Sequence, residues 1–238
     1  MSNSFKMKNY LSYILVIPFV FLASCEKKEE SKPKVIYETT TKAKPIIQPN
    51  TTQIEIADLP INMEGTNYLI HPVGSVTNAT SGSNESFTIS NYGEFQITGY
   101  LKNLKFQEIG KDTITALTDK PVLIETATYL KTYADKTKQQ LLVYTLADMD
   151  TNKDGKMDDN DIKSLYISTI SGQKFTKLSA DFQELVDWKV IESKSILFFR
   201  TIEDTNKNGK FDAQDTFQYY AVNLMDKNWK VSNYNPNN

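Results

Sequence analysis

With Cys25 as its only cysteine, the chain has no intramolecular disulfide available to it. A single histidine, His71, excludes a histidine cluster for zinc and any two-histidine mechanism. Neither GxSxG, HExxH, a P-loop nor GxGxxG occurs. Those gaps remove the commonest hydrolase, metalloprotease and nucleotide-binding signatures. The 27 basic and 29 acidic residues are interspersed, for a formal charge of −2 and no basic face for nucleic acid. No window carries a sustained i, i+3, i+4, i+7 apolar stripe, so no major helix is expected; Ser179 to Val186 has room for a short helical turn at most.

What the chain does have begins at its N-terminus. Lys6 and Lys8 precede a mainly apolar run, Leu11 to Phe21, too short to span a bilayer comfortably and followed by Leu22, Ala23, Ser24 and Cys25. Basic residues, a short apolar run and small residues at a cut describe a secretory signal. A cysteine directly after Leu-Ala-Ser resembles the lipobox of bacterial lipoproteins. That resemblance implies cleavage of residues 1–24 and a lipid on Cys25, hence a membrane partner. Lys28, Glu29 and Glu30, so close to that cysteine, resemble the export signal of surface lipoproteins in some Gram-negative bacteria, or form a plain charged tether. The expected location is the outer membrane, on its periplasmic or cell-surface side, with the surface favoured. Residues 25–53 mix Lys, Thr and Pro with little apolar patterning and read as a disordered lipid-anchored stalk, stiffened by Pro33, Pro45 and Pro49. Residues 54–238 then make one β-rich calcium-binding domain of ordinary size.

From Ile54 onward, short runs of Ile, Val, Leu, Phe and Tyr alternate with Ser, Thr, Asn and Gly, which is sheet composition. Twelve strands are expected between Tyr68 and Ser232. Two stretches stand apart from this pattern: DTNKDGKMDDND at Asp150–Asp161 and DTNKNGKFDAQD at Asp204–Asp215. They lie 54 residues apart, with LLVYTLADMD before one and ILFFRTIEDT before the other. SLYISTI and TFQYYAVNL follow, so the unit repeats at about the length of a four-stranded propeller blade. A third, degenerate copy is expected from NYLIHPVGSV, with Thr77–Ser86 as its hairpin loop. The segment Leu165–Asp204, with a Gly turn, a strand ending in Leu-Ser, a Trp strand and an apolar strand, resembles a blade of TolB-type propellers, although the Pro-Asp-Gly turn after the Trp strand is missing. The expected fold is mainly β: repeated antiparallel β-units, propeller-blade-like or a β-sandwich, with two calcium-loop hairpins.

Both acidic stretches place oxygen side chains at positions 1, 3, 5, 9 and 12 of a twelve-residue loop and glycine at 6, the arrangement that wraps a hard cation. Over these positions, and not over the flanks, they resemble EF-hand and dockerin loops. Those loops run into helices, whereas here both sequels alternate with period two and read as strands. The resemblance implies a Ca²⁺ ligand set of Asp150, Asn152, Asp154, the Lys156 carbonyl, Asp158 and Asp161 in the first loop. The second offers Asp204, Asn206, Asn208, the Lys210 carbonyl, Asp212 and Asp215. With Asp rather than Glu at position 12, affinities of about 10⁻⁴ to 10⁻³ M are expected. The first site, with four carboxylates against three, should be the tighter. Met157 and Phe211 at position 8 should point inward.

No catalytic residue is assigned. His71 reads as a structural histidine before a proline, and Glu125, Asp181 and Glu184 as solvating acids rather than a glycosidase pair. Trp188 and Trp229 read as core or cross-strand partners rather than a carbohydrate platform. The leading expectation is a non-enzymatic, lipid-anchored envelope protein with a structural or binding role. The alternatives are a glycan- or peptide-binding surface protein, even a hydrolytic one, with a propeller-like face, and a TolB-like partner of another envelope protein.

Overall fold

A computed structural model describes residues 34–37, 53–77 and 88–236. The signal segment 1–24, Cys25 and the Lys28-Glu29-Glu30 motif lie outside the described residues, as does most of Thr77–Ser86. Fifteen strands and one short helix follow in chain order. They are β1 (Gln53–Ala57), β2 (Ile61–Asn62), β3 (Tyr68–Thr77), β4 (Ser90–Gly93), β5 (Gln96–Leu101), β6 (Asn103–Glu108), β7 (Ile114–Ala116) and β8 (Leu123–Tyr129). After α1 (Lys131–Thr137) come β9 (Leu141–Ala147), β10 (Ser164–Thr169), β11 (Thr176–Lys177), β12 (Gln183–Ile191), β13 (Ile196–Glu203), β14 (Thr216–Asn223) and β15 (Val231–Asn233).

These strands form three sheets, and every pairing is antiparallel. The first has the order β1-β3-β6-β7 with β2 beside β3, the middle one β11-β10-β9-β8-β5-β4, and the last β12-β13-β14-β15. The repeat read from the loops is therefore a four-stranded meander, β8 to β11 and then β12 to β15. Each acidic loop joins its second and third strands.

Strand β9 shows how the sheets stack. Leu142, Tyr144 and Leu146 enter a core with Ile70, Leu104 and Phe106 of the first sheet. Their neighbours Leu141 and Val143 enter a second core with Leu197, Phe199 and Val222 of the last sheet. Because consecutive side chains of a strand point to opposite faces, LLVYTLA is apolar on both. The middle sheet is consequently buried on both sides, and the last sheet on one. Gly172 seals the first of these cores: a Cβ there would lie 2.5 Å from the Phe106 ring, at φ +76°. Gly172→Ala should destabilise the domain by roughly 2–4 kcal/mol through overpacking and a strained backbone, read as a lower thermal midpoint with an unchanged far-ultraviolet spectrum.

Two local expectations are corrected. Strands β3 and β4, on either side of Thr77–Ser86, do not form a hairpin; β3 pairs with β1, β2 and β6, and β4 with β5. Asp58 pins β4 elsewhere, accepting the Ser90 N–H at 2.8 Å and the Ser90 hydroxyl at 2.5 Å. Ser179–Val186 makes no helical turn, since β12 starts at Gln183. The helix occurs instead at α1, where only Tyr133 and Ala134 are buried, too few to leave a stripe in the sequence. It stops at Lys138, whose φ of 63° is left-handed and whose N–H reaches the Ala134 carbonyl.

Candidate functional site

Loop 1 spans β9 to β10 and loop 2 spans β13 to β14, in each case across two directly paired strands. Alternation keeps the flanks extended, and glycine lets the chain turn back. Gly155 and Gly209 at position 6 have φ of 87° and 80°, a region open to glycine at little cost. Lys153 and Lys207 at position 4 both have φ of 56°. The two loops therefore share a backbone course as well as a residue pattern.

Their hydrogen bonds also match. At position 1, Asp150 accepts the N–H groups of Asp154 (3.2 Å) and Gly155 (2.9 Å), as Asp204 accepts those of Asn208 (3.1 Å) and Gly209 (2.7 Å). At position 3, Asn152 and Asn206 each accept the position 5 N–H at 2.9 Å. At position 5, Asp154 (2.9 Å) and Asn208 (2.7 Å) accept the N–H of position 7. The position 12 carboxylates close both loops. Asp161 takes the Thr151 and Asp158 N–H groups at 2.8 and 2.9 Å, and Asp215 takes those of Thr205 and Asp212 at 3.0 and 2.9 Å. Asp158 and Asp212 at position 9 cap the turn that follows them. Lys156 is exposed, while Lys210, Met157 and Phe211 are half-buried.

The loops differ in depth position by position: Asn152 and Asp161 are buried where Asn206 and Asp215 are not, whereas at position 1 Asp204 is buried and Asp150 half-buried. Asp161 is fully buried, and desolvation pushes its carboxyl above the ordinary aspartate range, against the pull of hydrogen bonds from Asp158, Thr151 and Asn152. Asp215 is only half-buried. Among the described residues, no three His, Cys, Asp or Glu side chains converge as a ready metal cluster. The proposed ligand sets are mixed, combining carboxylates with asparagine and backbone oxygens. They contain no nitrogen or sulfur donor, which suits calcium or magnesium rather than zinc.

Four residues of the stretch read as stalk, Lys34 to Tyr37, lie across both loops. The Lys34 and Val35 N–H groups donate to the Gly209 carbonyl at 2.7 and 3.2 Å, and the Ile36 N–H to the Thr151 carbonyl at 2.9 Å. Val35 is 2% exposed. The Thr151 hydroxyl lies 2.7 Å from the Lys34 carbonyl oxygen, and Lys34 Nζ 2.8 Å from Glu184. Tyr37 bonds Asp204 and packs on Phe182; burial first, then Asp204, push its phenol up to about 12. Sequence reading passed over this segment because four residues are too short for a periodic pattern. It also passed over Thr151, although threonine at position 2 of both loops was a signal.

The other candidates disperse. His71 Nε2 lies 3.2 Å from Gln107 Oε1. Asp181 pairs with Lys177, while Glu125 and Glu184 both engage Lys163, through its ammonium at 2.8 Å and its backbone N–H at 3.0 Å; Glu184 also pairs with Lys34. Trp229 is buried, and Trp188 is half-buried against the second core. Asp148, just ahead of loop 1, gathers the Tyr166 hydroxyl at 2.7 Å and Lys177 Nζ at 2.6 Å. No described helix is long and apolar enough to cross a membrane. Compared with family models, curated proteins and solved structures, the chain matches none.

Proposed function

We propose that this protein is a lipid-anchored cell-envelope calcium-binding β protein with a structural or partner-binding role rather than an enzymatic one. The observation that carries it is the shared frame of the two loops. Full ligand spacing recurs 54 residues apart, with the same left-handed positions and the same hydrogen bonds in each copy. Two turns of merely polar composition would not need to agree so closely. Calcium here acts on folding: it neutralises acids that repel one another, and binding to the folded state alone adds stability by mass action. The blade-like order of the two meanders supports a propeller-type relation between the units. Cys25 supplies the anchor. Calorimetric titration of calcium into the full chain tests the reading; no heat would end it.

Loop 1, with Asp at position 5 where loop 2 has Asn208, binds more tightly. A unit charge near a cation is worth on the order of 1 kcal/mol even at water's dielectric, about fivefold in affinity. Asp154→Asn should therefore weaken the tighter site about fivefold, until the two isotherms merge. An unchanged tighter site would assign it to loop 2.

A second reading is favoured by the outer face of the last sheet. A groove of about 620 Å³ there is lined by Phe198, Tyr219 and Tyr234, beside Arg200, which donates to Asp187 at 2.7 and 2.8 Å. Rings beside a planar charged pair suit the apolar face and hydroxyls of a sugar. Binding to a glycan array that is lost in Tyr219→Ala/Tyr234→Ala would support it, and an array with no bound glycan would remove it.

A further inference from the structure

We infer that Lys34–Tyr37 is a calcium-gated clasp, which ties the two loops together. This rests on the calcium-binding reading above. The docking is specific. One apolar side chain, Val35, is buried, and three backbone N–H groups are satisfied by the two loops. Thr151 and Glu184 hold the Lys34 carbonyl and ammonium. An extended segment with paired amides and a buried side chain is held as an added strand would be.

The clasp and a metal ion do not compete for oxygen. The clasp uses the carbonyls of position 2 in loop 1 (Thr151) and position 6 in loop 2 (Gly209). The one backbone carbonyl in the twelve-residue ligand pattern is at position 7. Yet both acceptors sit beside ligand positions. Thr151 lies between Asp150 and Asn152 and bonds Asp161, and the Gly209 N–H bonds Asp204. Whatever orders the loops aims these carbonyls, and whatever loosens them releases the clasp. The segment touches both loops at once, so order in one is felt in the other.

Amide hydrogen exchange on the full chain, in millimolar calcium and in chelator, tests this. The Val35 and Ile36 amides should exchange at least about tenfold more slowly in calcium. In Val35→Asp, which places a charge in the buried pocket, Ile36 should exchange quickly in calcium while the calorimetric heat persists. Calcium heat with equally protected Val35 and Ile36 amides in both conditions would overturn the clasp and leave the calcium reading standing. No heat, and no response of the Gly155 and Gly209 amides, would overturn both. Slow exchange of Ile36 in Val35→Asp would also refute the clasp, since docking would not depend on the residue that anchors it.

Discussion

Chelation should lower the melting temperature of the domain by about 10 °C. At site affinities of about 10⁻⁴ to 10⁻³ M, calcium near 10 mM stabilises by roughly 1.4 to 2.7 kcal/mol per site. Two sites together contribute about 3–5 kcal/mol, and a domain of this size shifts by about 2–4 °C per kcal/mol. The midpoint should rise with the logarithm of free calcium and become insensitive to it once the loops are disabled by Asp150→Ala/Asp204→Ala. Scanning calorimetry across a calcium series reads this directly. Equal midpoints in calcium and chelator would refute the structural role given to the metal. Chelation should also open both hairpins to protease, because the acids would then repel without compensation.

Asp161→Ala unfolds the domain more readily than Asp215→Ala, even in chelator. The two residues share a loop position and two of their hydrogen bonds, but Asp161 is buried and also accepts the Asn152 N–H and the Thr151 hydroxyl. Asp161 is 0% exposed, and its truncation strands the Thr151, Asn152 and Asp158 N–H groups away from water. An unsatisfied buried donor costs about 1–3 kcal/mol, so a loss of roughly 3–5 kcal/mol is expected for Asp161→Ala. Around Asp215 water replaces the lost acceptor, and the loss should be about 1 kcal/mol. Denaturant titration in chelator measures both. Equal losses would show that the burial of Asp161 contributes nothing. Asp161→Asn, which keeps an acceptor oxygen, should recover part of the deficit while still weakening calcium.

Much of the secondary structure was legible. Alternating runs such as Ile196–Ile202 and Thr216–Leu224 appear as β13 and β14, and the twelve-residue loops were expected between paired strands, where they are found. The repeat was legible for the same reason, since a loop with fixed spacing leaves a mark in sequence that a sheet does not. The edge strands β1, β2 and β7 were not foreseen; they are short or flanked by polar residues, and only their partners define them. The apolar run of β9 gave a strand but not its place, because a segment apolar on both faces is compatible with any buried position.

By itself, then, the sequence determined where most of the longer strands form and the residue pattern of each acidic loop between them, because these depend on residues a few positions apart. The tertiary structure decided which strands share a sheet, that β3 and β4 part company, that the middle sheet is covered on both faces, and that Asp161 is buried where Asp215 is not. It also decided that Lys34–Tyr37 lies across both loops. Such contacts join residues more than a hundred positions apart, as between Lys34 and Glu184. They are selected by packing and by the satisfaction of backbone groups after the chain has closed on itself, and no local pattern encodes them.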